Sequence, residues 1–314
     1  MVSTAPSTTA PAVELSNVVK RFGQVQAVDG LDLTVQRAQV LALLGPNGAG
    51  KTTTVEMCEG FSSPDDGAVR VLGLDPVADA AALKPRIGVM LQGGGAYPGS
   101  RAGEMLKLVA SYSANPIDPD WLLRTLGLSE AVRTPYRRLS GGQQQRLALA
   151  CAIVGRPEMV FLDEPTAGMD AQAKNLVWEM IDALRRDGVA ILLTTHLMDE
   201  AEQLADELVI IDHGRVLASG TPSEVTSRNV EPRLCFRAPA DLDLTALQAT
   251  LPAGHAVSQV TPGSYQVDGE VSPRLVAAVA NWCADRDVLA TELRVDKRSL
   301  EDVFLDLTGR ELRG

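Results

Sequence analysis

At 314 residues and 45% hydrophobic content, the chain is large enough for one big domain or two ordinary ones, each with a packed core. A net charge of −11 with no long block of Lys or Arg argues against nucleic acid as the principal partner. No run approaches the roughly 18 apolar residues of a membrane-spanning helix, which predicts a chain soluble on its own, with any spans supplied by another polypeptide.

Residues 1–12 are rich in Ser, Thr, Ala and Pro without a basic start or an apolar stretch, and read as a disordered lead, not a signal peptide. Val13, Leu15, Val18 and Val19 lead to Arg21-Phe22-Gly23, and residues 27–35 alternate apolar and polar, so an antiparallel β layer is expected. Phe22, beside Lys20 and Arg21, is either a stacking platform for a nucleotide base or an ordinary hairpin aromatic. Val40–Leu44 is an apolar run of strand length. It feeds Gly45-Pro46-Asn47-Gly48-Ala49-Gly50-Lys51-Thr52-Thr53, which satisfies G-x-x-x-x-G-K-[ST]. A helix over 52–59, ended by Gly60, completes the strand, loop and helix that the pattern requires. Glycines let the backbone N–H groups turn inward around phosphate oxygens, and the helix start adds unpaired donors. Lys51 would reach the outer phosphates and the Thr52 hydroxyl would take a magnesium position.

Further short strands are expected at 69–72 and 87–91. Gln92 and the loop Gly93-Gly94-Gly95 follow; so many glycines need a partner to hold one shape. Residues 101–113, 121–126 and 143–154 show helical spacing, which points to a helical insertion at about 93–150. Its last helix opens at Leu139-Ser140-Gly141-Gly142-Gln143, where a capped, glycine-bared first turn makes a second phosphate-sized anion site. Met159-Val160-Phe161-Leu162-Asp163-Glu164-Pro165 is an apolar strand ending in two carboxylates. Asp163 is placed to hold magnesium through water, and Glu164 to face the attacking water. A strand at 189–194 ends beside His196, on the edge where α/β sheets bind ligands, and a helix is expected at 198–205. His213, in the turn Asp212-His213-Gly214-Arg215, and His255 receive no role. Cys58, Cys151, Cys235 and Cys283 form no C-x-x-C pair and read as buried apolar thiols in a reducing compartment, with no metal site.

Beyond residue 229 the texture changes: a strand at 234–236, a helix at 244–251, a hairpin at 257–267, a helix over Pro273–Ala284, a strand at 288–295, and a capped final helix from Ser299 through Leu307. A small α+β domain at 229–314 is expected, serving stability or dimerisation.

Taken together, the phosphate loop, Gln92, Leu139 to Gln143, Asp163-Glu164, Ala167-Gly168-Met169-Asp170 and His196 resemble the ATP-binding subunit of an ATP-binding-cassette (ABC) transporter, over residues 13–222. The resemblance implies an α/β fold: a P-loop NTPase core with an antiparallel β subdomain and a helical subdomain. It also implies ATP with Mg2+, bound at Gly45 to Thr53 and, for the base, at Phe22 and Val28. Glu164 would be the general base, Asp163 and Gln92 would serve the magnesium and the attacking water, and His196 the γ-phosphate. A second copy would cover that ATP with Ser140, Gly141, Gly142 and Gln143, the loop through Asp170 linking the two sites. The run Leu300-Glu301-Asp302-Val303-Phe304-Leu305-Asp306-Leu307 is similar to the tail of daunorubicin-resistance-type (ABC-2) exporter ATPases. This implies a drug or lipid exporter whose integral membrane subunit, a separate chain, binds near 92–104 and holds the ATPase at the cytoplasmic face of the membrane. Gly93, Arg101 and Ala102 depart from common family residues there, and Met169 replaces the usual Leu. An import ATPase, or a soluble cassette ATPase acting on nucleic acid or the ribosome, are the alternatives.

Overall fold

The computed structural model describes residues 10–90, 97–227, 233–296 and 299–309. The predicted lead at 1–12 falls almost wholly outside them, as do Gln92 and the glycines at 93–95. The chain divides into two compact units, one of Met1–Pro222 with Phe304–Gly314 and the other of Ser223–Val303. The expected boundary at 229 lies outside the described residues.

In the first unit β1 (Val13–Phe22) and β2 (Val25–Val35) form a hairpin, followed by β3 (Val40–Leu44), α1 (Lys51–Glu59), β4 (Asp66–Val71), α2 (Ala80–Leu83) and β5 (Ile87–Met90). Three helices come next: α3 (Ala102–Ala110), α4 (Pro119–Thr125) and α5 (Gly141–Ile153). The chain then alternates β6 (Met159–Asp163), α6 (Ala171–Arg186), β7 (Ala190–Thr194) and α7 (Met198–Leu204), and the unit ends with β8 (Glu207–Asp212) and β9 (Arg215–Gly220), after which α8 (Pro222–Ser227) passes into the second unit. Two sheets result: an antiparallel one in the order β2-β1-β4, and a six-stranded one in the order β5-β6-β7-β3-β8-β9. All pairings in the larger sheet are parallel except β8 with β9. Every residue of β3 and β7 is buried, as strands covered on both faces must be. Val13, Val28, Leu31 and Val71 of the smaller sheet join Leu41, Leu43, Phe161 and Leu192 of the larger in one core.

The second unit carries β10 (Arg233–Arg237), α9 (Leu244–Gln248), β11 (Ala256–Thr261), β12 (Ser264–Asp268), α10 (Pro273–Ala284) and β13 (Thr291–Asp296), and α11 (Leu300–Thr308) runs across the division. Its antiparallel sheet, in the order β11-β12-β10-β13, buries Leu234, Phe236, Tyr265 and Val267 with Leu275, Val279 and Trp282 of α10.

The α/β class read from the sequence holds, with local differences. α5 begins at Gly141 behind Ser140, as the capped start predicts, although the helical spacing read from 143 onward falls short of it; Ser140 closes a capping box with Gln143. β13 begins at Thr291, not 288, because the Val288 N–H is used on the Cys283 carbonyl to close α10. α6, the longest helix, is absent from the predicted elements although Ala173, Val177, Ile181 and Leu184 give it a buried stripe. Of the cysteines, Cys58 and Cys283 are buried while Cys151 and Cys235 are half-buried; all four are free thiols.

Candidate nucleotide site

Sheet register builds the site. Leu43 of β3 lies opposite Thr194 of β7, and Thr194 opposite Asp163 of β6. Three neighbouring parallel strands therefore end level, and the residues just beyond them (Gly45 to Lys51, Thr195 and His196, Glu164) emerge along one edge of the sheet. That carboxyl edge is where open α/β sheets bind ligands.

The loop after β3 is shaped by contacts that exclude side chains. A Cβ on Gly50 would stand 2.3 Å from the Ala27 carbonyl oxygen, and its φ of +104° is left-handed. The Gly214 N–H, from the β8–β9 turn, donates to the Ala49 carbonyl at 2.9 Å and backs the loop. Asn47, Gly48 and Thr52 are exposed and Thr53 is half-buried, whereas Gly45, Pro46 and Ala49 are buried. Lys51 Nζ donates to the carbonyls of Gly45 at 2.6 Å and Pro46 at 3.2 Å, so the ammonium lies curled within the loop. Burial pulls the Lys51 ammonium below its usual value, while Glu164 and then Asp163 oppose the change. The lysine and the two carboxylates thus share one electrostatic environment.

At the end of β6 the Thr194 hydroxyl donates to Asp163 Oδ1, and the Glu164 N–H reaches the Thr194 carbonyl at 3.0 Å. Glu164 has a φ of 47°, an uncommon left-handed conformation for a non-glycine that costs on the order of 1 kcal/mol and must be held by its surroundings. Glu164 Oε1 lies 3.0 Å from His196 Nδ1, so the side chains beyond β6 and β7 meet at the same edge.

Of the two residues expected to meet a base, Phe22 is 53% exposed with Lys20 Nζ 5.5 Å from its ring centroid, while Val28 is fully buried. Phe22 is the one that offers surface.

The second expected anion site falls at the start of α5. The Ser140 hydroxyl accepts the Gln143 N–H at 3.3 Å, and Gln143 Oε1 accepts the Ser140 N–H at 2.9 Å. Ser140 and Gly141 are exposed. A Cβ on Gly141 would meet nothing within 4 Å, and one on Gly142 only Met169 Cγ at 3.5 Å. Neither glycine is demanded by the chain's own packing. Asp170 caps α6 by accepting the Ala173 N–H at 2.8 Å. His255 is tied to carbonyls of its own unit, Pro252 and Glu270, at 3.0 and 2.8 Å.

Two residues of the site region escape the sequence reading. Thr194, 1% exposed, binds both Asp163 and the Glu164 backbone, and a Thr closing an apolar run has no distinguishing signal. Glu200 is fully buried and accepts the Thr166 hydroxyl at 2.8 Å. Its signal was available, since Glu200, Ala201 and Leu204 share the buried face of α7.

For magnesium, the candidate donors are the Asp163 carboxylate and the Thr52 hydroxyl, the hard oxygen ligands this ion takes. Among the described residues no cluster of three or more His, Cys, Asp or Glu could hold a metal by itself. That fits an ion bound mainly through substrate phosphates and water. No helix among the described residues is long and apolar enough to cross a membrane.

Similarity to known proteins agrees with this geometry. A family profile described as ABC transporter matches residues 28–167. A Nod factor export ATP-binding protein I from Ralstonia nicotianae is 36% identical over 309 residues, covering 96% of this chain and 95% of its own length. The daunorubicin/doxorubicin resistance ATP-binding protein DrrA of Streptomyces peucetius is 36% identical over 311 residues, covering 95% and 92% respectively. Among solved structures, an ATP-binding subunit of an ABC transporter superposes with a TM-score of 0.63 at 26% identity, covering 68% of this chain and 91% of that one.

Proposed function

The chain belongs to the ATP-binding proteins of ABC transporters, and from that premise we propose that it hydrolyses MgATP to drive export through a separate membrane subunit, at the cytoplasmic face of the membrane. The observation that carries the chemistry is the meeting of Glu164 and His196 beyond two level strand ends, within the electrostatic reach of Lys51. Glu164 accepts the proton of the attacking water, and its left-handed backbone aims the carboxylate along the sheet edge. His196 orients Glu164 and contacts the γ-phosphate. Lys51 leaves the Gly45 and Pro46 carbonyls for the outer phosphates, and Phe22 stacks on the base. The phosphate-loop amides from Gly45 to Thr53 enclose the triphosphate. Asp163 and Thr52 would hold the magnesium, which would supply positive charge against the phosphate oxygens. Gln92, outside the described residues, is assigned by its place in the sequence to the magnesium and the attacking water.

The site is completed by a second copy. Ser140, Gly141, Gly142 and Gln143 present an exposed helix start whose glycines answer to no neighbour in their own chain, which supports the approach of another molecule's phosphate. Export is favoured over import because the relatives aligned along nearly the whole chain are named for export and resistance. A cargo of the drug or lipid class is part of the same proposal, its drug arm supported by the relative named for daunorubicin/doxorubicin resistance.

The test is Glu164→Gln in the full chain. Loss of a general base lowers turnover by about 100-fold or more. ATP binding persists and a nucleotide-trapped dimer accumulates on size exclusion. Turnover within twofold of the unaltered chain would remove Glu164 from this role.

A further inference from the structure

Glu200 is a buried carboxyl that the reaction described above does not use. It is 0% exposed, on the inward face of α7, and its Oε1 accepts the Thr166 hydroxyl at 2.8 Å and the Trp178 indole N–H at 3.4 Å. Oε2 is buried without a hydrogen bond of good geometry among the described residues. Burial pushes the Glu200 carboxyl above its usual range, and the hydrogen bonding around it, with the charge of Lys174, only partly offsets this. A carboxyl placed this deep destabilises the fold relative to an apolar side chain of similar volume. Its position explains the expense.

Thr166 follows Glu164 by two residues, and Thr195 immediately precedes His196. Both threonines are buried, at 0% and 1% exposure; the Thr166 hydroxyl donates to Glu200, which stands on the helix that follows the His196 loop. Thr195 Oγ1 also accepts the Leu197 N–H at 3.0 Å, which fixes the turn around His196. Beyond the last sheet bond, from the Glu164 N–H to the Thr194 carbonyl, the Glu164–His196 contact is itself part of what must be aligned. The Thr166–Glu200 hydrogen bond ties the same two segments a second time, since Glu200 belongs to α7, which begins two residues after His196. The left-handed Glu164 needs such support, since released neighbours would let it relax to an ordinary backbone conformation.

We infer that Glu200 is a positioning residue for ATP hydrolysis: from α7, through Thr166, it locks the loop bearing Glu164 to the loop bearing His196. The inference rests on the reading of Glu164 as the base. The hydrogen bonds of Glu200 go to Thr166 and Trp178 and not to the phosphate loop, so its loss is expected to act on turnover and not on ATP binding.

The experiment compares Glu200→Ala, Glu200→Gln and Thr166→Val with the unaltered full chain, measuring kcat and ATP affinity separately, with Glu164→Gln as reference. Glu200→Ala is expected to lower kcat about tenfold or more, and Thr166→Val, which deletes one hydroxyl at constant shape, at least threefold, both with ATP affinity within twofold. Glu200→Gln, whose amide oxygen can still accept from Thr166, is expected to recover at least half of the activity lost in Glu200→Ala. The inference is overturned if kcat in Glu200→Ala falls less than threefold, if ATP affinity falls in parallel, or if Glu200→Gln is no better than Glu200→Ala. Should Glu200→Ala fail to fold, Thr166→Val decides by the same threefold threshold. Normal turnover in Glu164→Gln would overturn the reading of the base itself; abolished turnover there beside normal Glu200 and Thr166 variants would overturn the bridge alone.

Discussion

Replacing Gly141 with Asp separates what the start of α5 does within one chain from what it does across a dimer. Within the chain the added atoms have room, since nothing lies within 4 Å of a Cβ at this position. Glycine costs a helix about 1 kcal/mol relative to Ala and Asp somewhat less, while a first-turn carboxylate gains about 0.3–1 kcal/mol from the helix dipole. The single chain is thus expected to gain about 0.5–1 kcal/mol, a rise of roughly 1–4 °C in Tm. Across the proposed interface the same carboxylate would face the partner's triphosphate. Two like charges about 4 Å apart at an effective dielectric constant near 20 repel by about 4 kcal/mol, close to a thousandfold in dimer affinity. The assay is thermal unfolding without nucleotide, followed by light-scattering mass measurement with MgATP in the Glu164→Gln background. The expected result is a slightly higher Tm, unchanged ATP binding by the monomer, and no dimer. A dimer formed at the same concentration as without the Asp would refute the exchange of signature residues between copies. A Tm lowered by several degrees would refute the claim that Gly141 is free of constraint in its own chain.

Gly50→Ala would place a methyl 2.3 Å from the Ala27 carbonyl oxygen on a backbone at φ +104°; a loss of about 3 kcal/mol or more in urea unfolding, together with ATP binding, is expected, and an unaltered midpoint would count against the loop geometry. Glu59, at the end of α1, is pushed up to about 8 from 4.5 by burial and then by Asp163 and Glu56. Between those two values the folded chain keeps a proton that the unfolded chain has released, so this carboxyl lowers stability progressively as pH rises from 4.5 to 8, and no further above 8. Glu59→Gln is therefore expected to gain on the unaltered chain by on the order of 1–4 kcal/mol between pH 5 and pH 8, measured by urea unfolding without nucleotide. Parallel pH curves for the two proteins would remove that carboxyl from the balance.

Much of the sheet edge is legible in the sequence because its signals are local. Val40–Leu44 and Met159–Asp163 are short apolar runs closed by residues that cannot continue a buried strand, and the glycine loop and paired acids stand next to them. Ser140 and Gln143 announce the start of α5 through the three-residue spacing of a capping box. What stays hidden is set by partners distant in the chain. That β7 lies between β6 and β3, so that Thr194 meets Asp163, follows from crossover order and register, which no local pattern encodes. Glu200 sits in Met198-Asp199-Glu200-Ala201-Glu202, where a charge run reads as a solvated helix face, yet its inward direction is visible once Ala201 and Leu204 are placed on one side. Val28 alternates correctly as a strand residue, but only the packed structure shows that the layer covers it entirely.

The curled Lys51 is tied by its side chain to the turn that it follows. Its ammonium donates to two main-chain oxygens of that turn, so the residue braces the loop as well as bringing charge to it. A substitution at this position would therefore remove a strut together with a ligand. Weakened affinity in such a variant would combine lost phosphate attraction with the collapse of an unpropped cradle, two deficits that a shorter cation supplied in solution could repair only in part.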